Sequence, residues 1–212
     1  MKNTKKFLSI ALLLLLVNAA SSAEIAKSRF KITENPAEFT VDYIVTPDMT
    51  LVESKENPDV AVARTYSVKK GNEEGEIRYS LFTDIGEADG KEKMQAYIWS
   101  LMCTMNMAGY EFPQEKLTPY GDNDVKGEFN GDYGFNAFIK QPKSEYADGF
   151  NYIYADFFYK KGQGLVIRAF LFKDISFVGI NPDGTVKADS ALFTNYDSFK
   201  FFESKADYPE EK

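Results

Sequence analysis

The chain has 212 residues, with 25 Lys and Arg against 32 Asp and Glu, a formal charge of −7, no histidine and one cysteine. The acidic balance repels phosphate backbones and anionic lipid, so nucleic acid is not expected as a partner. The lack of histidine removes the commonest general base, every His-dependent triad and the usual His-containing zinc and copper sites, while a lone Cys103 excludes an intrachain disulfide and a cysteine-rich metal centre.

Residues 1–23 carry Lys2, Lys5 and Lys6, then an apolar run over 7–17, then Ser21-Ser22-Ala23. This is the three-part pattern of a secretory leader, and the apolar run is short for a membrane span. Cleavage near Ala23 removes three lysines and leaves 22 basic against 32 acidic residues, a charge of −10. The expectation is a periplasmic or secreted protein with no stable membrane span, a single domain over 24–203 and a charged, frayed tail over 204–212. Cys103 reads as a small buried apolar residue rather than a reactive thiol.

In chain order, 29–33 is a short strand followed by the turn Glu34-Asn35-Pro36, and 39–45 alternates as a second strand. A weak strand is expected at 49–53. Residues 60–69 and 75–83 form a hairpin across the polar connection 70–74, and the alternation of Ile77, Tyr79 and Leu81 with Arg78, Ser80 and Phe82 places the second strand near an edge. Residues 89–109 are the best helix. Met94, Tyr97, Ile98, Leu101 and Met105 recur at steps of three and four as its buried stripe, Asp89 and Glu92 suit its positive end, and Gly109 is the expected stop. Trp99, Met102 and Cys103 fall off that stripe.

A loop over 111–124 leads into a strand pair at 125–130 and 133–140, joined tightly at Gly131-Asp132. After the loop 141–148 comes the hairpin around which the chain is organised, 150–159 and 165–172. Phe150, Tyr152, Tyr154 and Phe158 alternate with Ile153, Ala155, Phe157 and Tyr159; Leu165, Ile167, Ala169 and Leu171 alternate with Val166, Arg168, Phe170 and Phe172. Both faces are apolar, so the sheet must be covered on both sides. Further on, 174–178 is a turn of helix, Asn181-Pro182-Asp183-Gly184 a β-turn, 188–196 a short helix and 197–201 a closing strand. The fold class expected is α+β, an antiparallel sheet sandwiched between the 89–109 helix and the C-terminal helical segment.

No motif carries recognisable chemistry. Asp156 stands out as a carboxylate inside an apolar run, and pairing with Arg168 on the neighbouring strand is preferred to catalysis. Residues 122–133 match an EF-hand at the first, third and sixth positions, but Lys126 and Tyr133 stand where ligands are needed, so a solvated turn is the better reading. Lys161-Gly162-Gln163-Gly164 lies inside a hairpin with no helix to follow, which is not a phosphate loop. What remains is an excess of aromatics and methionines, either core or an adaptable surface. Trp99, Met102, Tyr152 and Tyr154 are the candidate contact residues for a protein partner or a small hydrophobic ligand. The reading is therefore a non-catalytic binding or assembly protein, with no cofactor and no metal. The alternatives are a carrier of a hydrophobic ligand between sheet and helix, and a carboxylate-dependent hydrolase.

The opening Phe30-Lys31-Ile32-Thr33-Glu34-Asn35-Pro36, the order of strands, long helix, strands and closing helix, and the terminal Ser198-Phe199 resemble the Mog1/PsbP-like superfamily. The resemblance spans most of the mature chain through short motifs. It implies an α/β/α sandwich and an adaptor or assembly role, and it carries over no functional residue.

Overall fold

A computed structural model describes residues 26–31, 40–45, 49–52, 62–70, 73–82, 85, 90–107, 112–142, 144–175 and 199–201. The strands are β1 (Ala26–Lys31), β2 (Thr40–Val45), β3 (Met49–Val52), β4 (Val62–Lys70), β5 (Glu73–Phe82), β6 (Thr118–Pro119), β7 (Tyr133–Lys140), β8 (Tyr152–Lys160), β9 (Gly164–Phe172) and β10 (Lys200–Phe201). Two α-helices accompany them among the described residues, α1 (Lys91–Thr104) and α2 (Asp122–Gly127). A seven-stranded antiparallel sheet in the order β3-β4-β5-β9-β8-β7-β6 makes the frame, so the protein is mixed α+β; β1, β2 and β10 pair in a separate three-stranded sheet.

The hairpin β8–β9 forms the middle of the large sheet because its residues have no wet face to offer. Nearly every residue from Ile153 to Phe172 within the two strands is buried. The alternation read from sequence is realised within the strands: Ile153, Ala155, Phe157, Tyr159, Leu165, Ile167, Ala169 and Leu171 join one core layer, and Tyr154, Phe158, Val166, Phe170 and Phe172 join the other; Phe150, expected beside Tyr152, precedes β8 and packs against the first layer instead. At roughly 25 cal/mol per Å² of apolar surface removed from water, this two-sided burial is the dominant favourable contribution to the fold.

Several expectations are corrected. β5 is not an edge strand. It lies between β4 and β9, in unbroken register with β9, Tyr79 opposite Arg168 and Ser80 opposite Ile167, while its pairing with β4 shifts register between Val62 and Arg64. Residues 125–130 are not a strand: Gly121, with Asp122 and Asp124 in the first turn, starts α2, where carboxylates favour the helix N-terminus. Gly131-Asp132 therefore does not close a hairpin, and β7 pairs instead with β6 and β8. Helix α1 stops before Gly109. Asn106 takes a left-handed conformation at φ 54°, and the Met107 and Asn106 amides donate to the carbonyls of Met102 and Cys103, closing the helix end. Its fully buried side is Met94, Ile98 and Met102, so Met102 belongs to the stripe from which its spacing had excluded it, while Tyr97, Trp99 and Leu101 are half-buried on the flanks.

Helix α1 packs on one face of the large sheet. On the other face, Phe129, which follows α2, joins Phe199 and Phe201 from the β10 region over Phe158; the Phe129 and Phe158 rings stack at 4.1 Å and Phe158 and Phe199 at 5.1 Å. The expected helix at 188–196, the turns at 174–178 and 181–184, the leader and the tail lie largely or wholly outside the described residues.

Candidate functional site

The charged pair expected in the central hairpin forms. Register sets Asp156 of β8 directly opposite Arg168 of β9, and both side chains are fully buried. Arg168 donates from Nε at 3.0 Å and Nη2 at 2.8 Å to Asp156 Oδ2, and the Tyr120 hydroxyl donates to Oδ1 at 2.6 Å. Tyr120 in turn lies 3.1 Å, hydroxyl to hydroxyl, from Tyr154. The guanidinium is flanked by Phe158 and Phe170, its carbon 5.8 and 5.2 Å from the ring centroids. Burial is the largest single influence and opposes the charge on Arg168, but the adjacent Asp156 carboxylate, with Tyr79 and Tyr120 beside it, outweighs burial and holds the group above the ordinary arginine value. Both carboxylate oxygens are thus engaged by donors. A general acid or base needs a face free for substrate, and this carboxylate is packed into the sheet instead.

Tyr120 reaches this network by rounding the edge of the sheet. The segment before it is laced to α1, with Trp99 Nε1 donating to the Phe112 carbonyl at 3.0 Å, Gln95 Nε2 to Leu117 at 2.8 Å and Lys91 Nζ to Tyr120 at 3.3 Å. The Tyr120 amide then bonds the Gly134 carbonyl, and the ring stacks on Phe158 at 5.8 Å. Gly134 is needed for this approach, because a Cβ there would stand 2.8 Å from Val125 Cγ2 and 3.1 Å from Tyr120 Cδ2. Lys91 also donates to Asp122 at 2.8 Å and so holds that exposed carboxyl below its usual range.

A second polar group lies on the helix side. Arg78 of β5 binds Glu76 Oε2 through Nε at 2.9 Å and Nη2 at 2.6 Å, donates from Nη1 to the Tyr146 carbonyl, and lies 5.1 Å from the Tyr146 ring centroid. Tyr146 sits in a 3₁₀ turn, Glu145–Ala147, whose Ser144 hydroxyl donates to the Met107 carbonyl at the end of α1, 3.3 Å away. The Tyr146 and Ser80 hydroxyls are buried without a well-formed hydrogen bond. Burial pushes the Tyr146 phenol well above the ordinary tyrosine range. Around them, Met94, Met102, Met105 and Met107 are all buried in the same layer as Ile139, Ile153 and Ile167.

The four residues expected to share a contact surface do not. Trp99 and Met102 belong to the helix-side layer, and Met102 is fully buried; Tyr152 and Tyr154 lie on the opposite face of the sheet, where Tyr154 is buried and Tyr152 stacks on Phe172 at 5.4 Å. The strand alternation that separates odd from even positions of β8 already put Tyr152 and Tyr154 on one side, but nothing in it told which side α1 would take. Tyr120, Arg78, Ser80 and Tyr146 were missed as a group. The available signals were an aromatic between Pro119 and Gly121, and another inside the polar loop 141–148.

The Asp122 segment expected to fail as a calcium loop is helical, and among the described residues no cluster of three or more Cys, Asp or Glu could hold a metal ion. Among those residues, too, no helix is long and apolar enough to cross a membrane. Compared with protein-family models, with curated proteins and with solved structures, the chain matches none.

Proposed function

We propose that this is an exported, non-catalytic binding protein that carries a small hydrophobic ligand in the layer between α1 and the large sheet. The observation that carries this reading is the row of four buried methionines, Met94, Met102, Met105 and Met107, against the aliphatic face of β7, β8 and β9. Methionine is unbranched and polarizable, so a layer lined by it repacks around a guest at lower cost than one of β-branched residues. The buried ion pair argues in the same direction, since Asp156 and Arg168 meet each other and Tyr120 rather than a cleft. A Mog1/PsbP-like α/β/α sandwich is the architecture that this reading assumes, with the helix-bearing face of the antiparallel sheet as its support.

The test uses Trp99, the one tryptophan of the chain, which packs at the edge of this layer. Protein purified without detergent is extracted with organic solvent for mass spectrometry and, separately, titrated with 1-aminoanthracene. A co-purified hydrophobe, or saturable uptake of one probe per chain with energy transfer from Trp99, is expected. Absence of both refutes the carrier reading.

A further inference from the structure

Tyr146 is lodged in the helix-side layer in an unusual way. Its ring is buried, its hydroxyl lies beside that of Ser80 without a proper hydrogen bond, and its carbonyl takes the Nη1 donor of Arg78. A buried hydroxyl left short of partners works against the packed state, so the layer opens more readily here than where every polar group is bonded. The turn that carries Tyr146 is tied from outside by the Arg78 donor and by the Phe150 amide, which bonds the Ala147 carbonyl at 2.9 Å, while its own bonds are longer. Its internal bonds Ala147 to Ser144 and Asp148 to Glu145 are both 3.2 Å long, and its tie to α1, Ser144 to Met107, is 3.3 Å. Left-handed backbone brackets it, with Gln141 at φ 49° on one side and Asp148 at φ 46° and Gly149 at φ 83° on the other.

We propose that Tyr146 is a plug, and that an uncharged amphiphile, a hydrocarbon chain ending in an alcohol or ester oxygen, displaces it and sets that oxygen between Arg78 Nη1 and the Ser80 hydroxyl. The chemistry of the head group follows from Glu76. Two of the three Arg78 nitrogens are committed to the Glu76 carboxylate, and Nη1 now meets a neutral carbonyl, so the notch supplies donors without uncompensated positive charge. A carboxylate head would be repelled by Glu76. The side chains of Arg78 and Glu76 keep 11% and 23% of their surface exposed, which leaves the notch at the margin of the layer where a head group enters last. The chain would then run between α1 and the sheet, among Met102, Met105 and Met107.

This inference rests on the carrier reading and is tested separately from it. Wild-type protein is titrated at pH 8 with 1-decanol and with decanoate, and hydrogen exchange of the amides of 145–149 is followed in each complex. The expected result is that 1-decanol binds about tenfold more tightly than decanoate, the equivalent of one good hydrogen bond, and that exchange in 145–149 speeds up while β8 stays protected. Ser80→Ala should weaken 1-decanol about threefold to tenfold and leave decanoate unchanged, without loss of stability, because it removes an under-bonded group. Equal binding of the two probes, or 1-decanol binding with 145–149 undisturbed, overturns the plug and leaves the carrier reading in place. Failure of both probes to bind overturns the two together.

Discussion

Removal of Arg168 is the sharpest test of the physical account of the sheet. Arg168→Met keeps the length and apolar stem of the side chain but leaves the Asp156 carboxylate buried between β7 and β9, with the Tyr120 hydroxyl still donating to Oδ1 at 2.6 Å and two bonds to Oδ2 gone. An uncompensated buried charge costs about 3–5 kcal/mol, a large part of the roughly 5–15 kcal/mol that holds a domain together. Tyr120→Phe removes one bond to the same carboxylate and should cost about 1.5–3 kcal/mol. The double change Asp156→Leu with Arg168→Met takes away both charges and should return close to wild-type stability, since well-packed apolar replacements of buried pairs are often neutral. Urea unfolding followed by Trp99 fluorescence at pH 7 gives these values, and with the single variant Asp156→Leu added the cycle closes and yields the coupling between the two residues. An Arg168→Met variant that loses less than about 1 kcal/mol at unchanged m would refute the reasoning. The pH dependence has a defined sign. Arg168 is held above the ordinary arginine value, so its contribution is fully present below the unfolded value and is lost only as pH rises past it. From the arginine side, the pair should contribute evenly between pH 6 and 10.

Tyr146 should show the same sign within reach of experiment: its folded value is raised above 10.0 by burial, so its contribution is complete below pH 10 and falls above it by about 1.4 kcal/mol per pH unit. Comparing wild type with Tyr146→Phe at pH 9 and pH 11.5 should therefore reveal an extra loss of about 2 kcal/mol in the wild type, and equal losses would mean that the phenol is not buried as described. Gly134→Ala drives a Cβ to 2.8 Å from Val125 and 3.1 Å from Tyr120, so urea unfolding should register a loss of about 1–3 kcal/mol. The same substitution at Gly127, where a Cβ meets nothing within 4 Å, should not destabilise the protein and serves as the control. Trp99→Phe removes the bond to the Phe112 carbonyl at 3.0 Å, and thermal unfolding should show a cost of about 0.5–1.5 kcal/mol, a measure of how firmly α1 is laced to the segment leading to Tyr120.

The parts of this structure that were legible in the sequence are those set by period alone. Alternation along 152–172 assigned each residue of β8 and β9 to its layer, and with it placed Asp156 and Arg168 on one face, because a strand side chain has only two directions to choose between. The hairpin β4–β5 and the body of α1 were legible for the same reason. What period does not encode is which strands become neighbours. Ile77, Tyr79 and Leu81 alternate with polar residues as an edge strand would, yet β5 is internal because Arg78 and Glu76 satisfy one another and Ser80 is covered by the turn at Tyr146. The stripe of α1 was misjudged at Met102 for a related reason: helical spacing gives the angular order of side chains, and the sheet decides where the buried sector is centred.

Tyr120 and Tyr146 share a property that explains why the candidate sites were harder to read than the fold. Each comes from a connection between strands and not from a strand or long helix, and each enters a layer built by residues distant in sequence: Tyr120 meets Asp156 on one face, and Tyr146 meets Arg78, 68 positions away, on the other. Loops carry no period, so the only mark they leave is a large aromatic among turn formers, as in Pro119-Tyr120-Gly121. The two insertions differ in the partners they find. Tyr120 donates to a carboxylate that needs a donor, which fixes the loop and closes the face. Tyr146 brings its hydroxyl to Ser80 with neither hydroxyl properly bonded. On energetic grounds the first is a fastening and the second the weaker seat, and the asymmetry between them is why the proposed ligand entry is placed on the helix side.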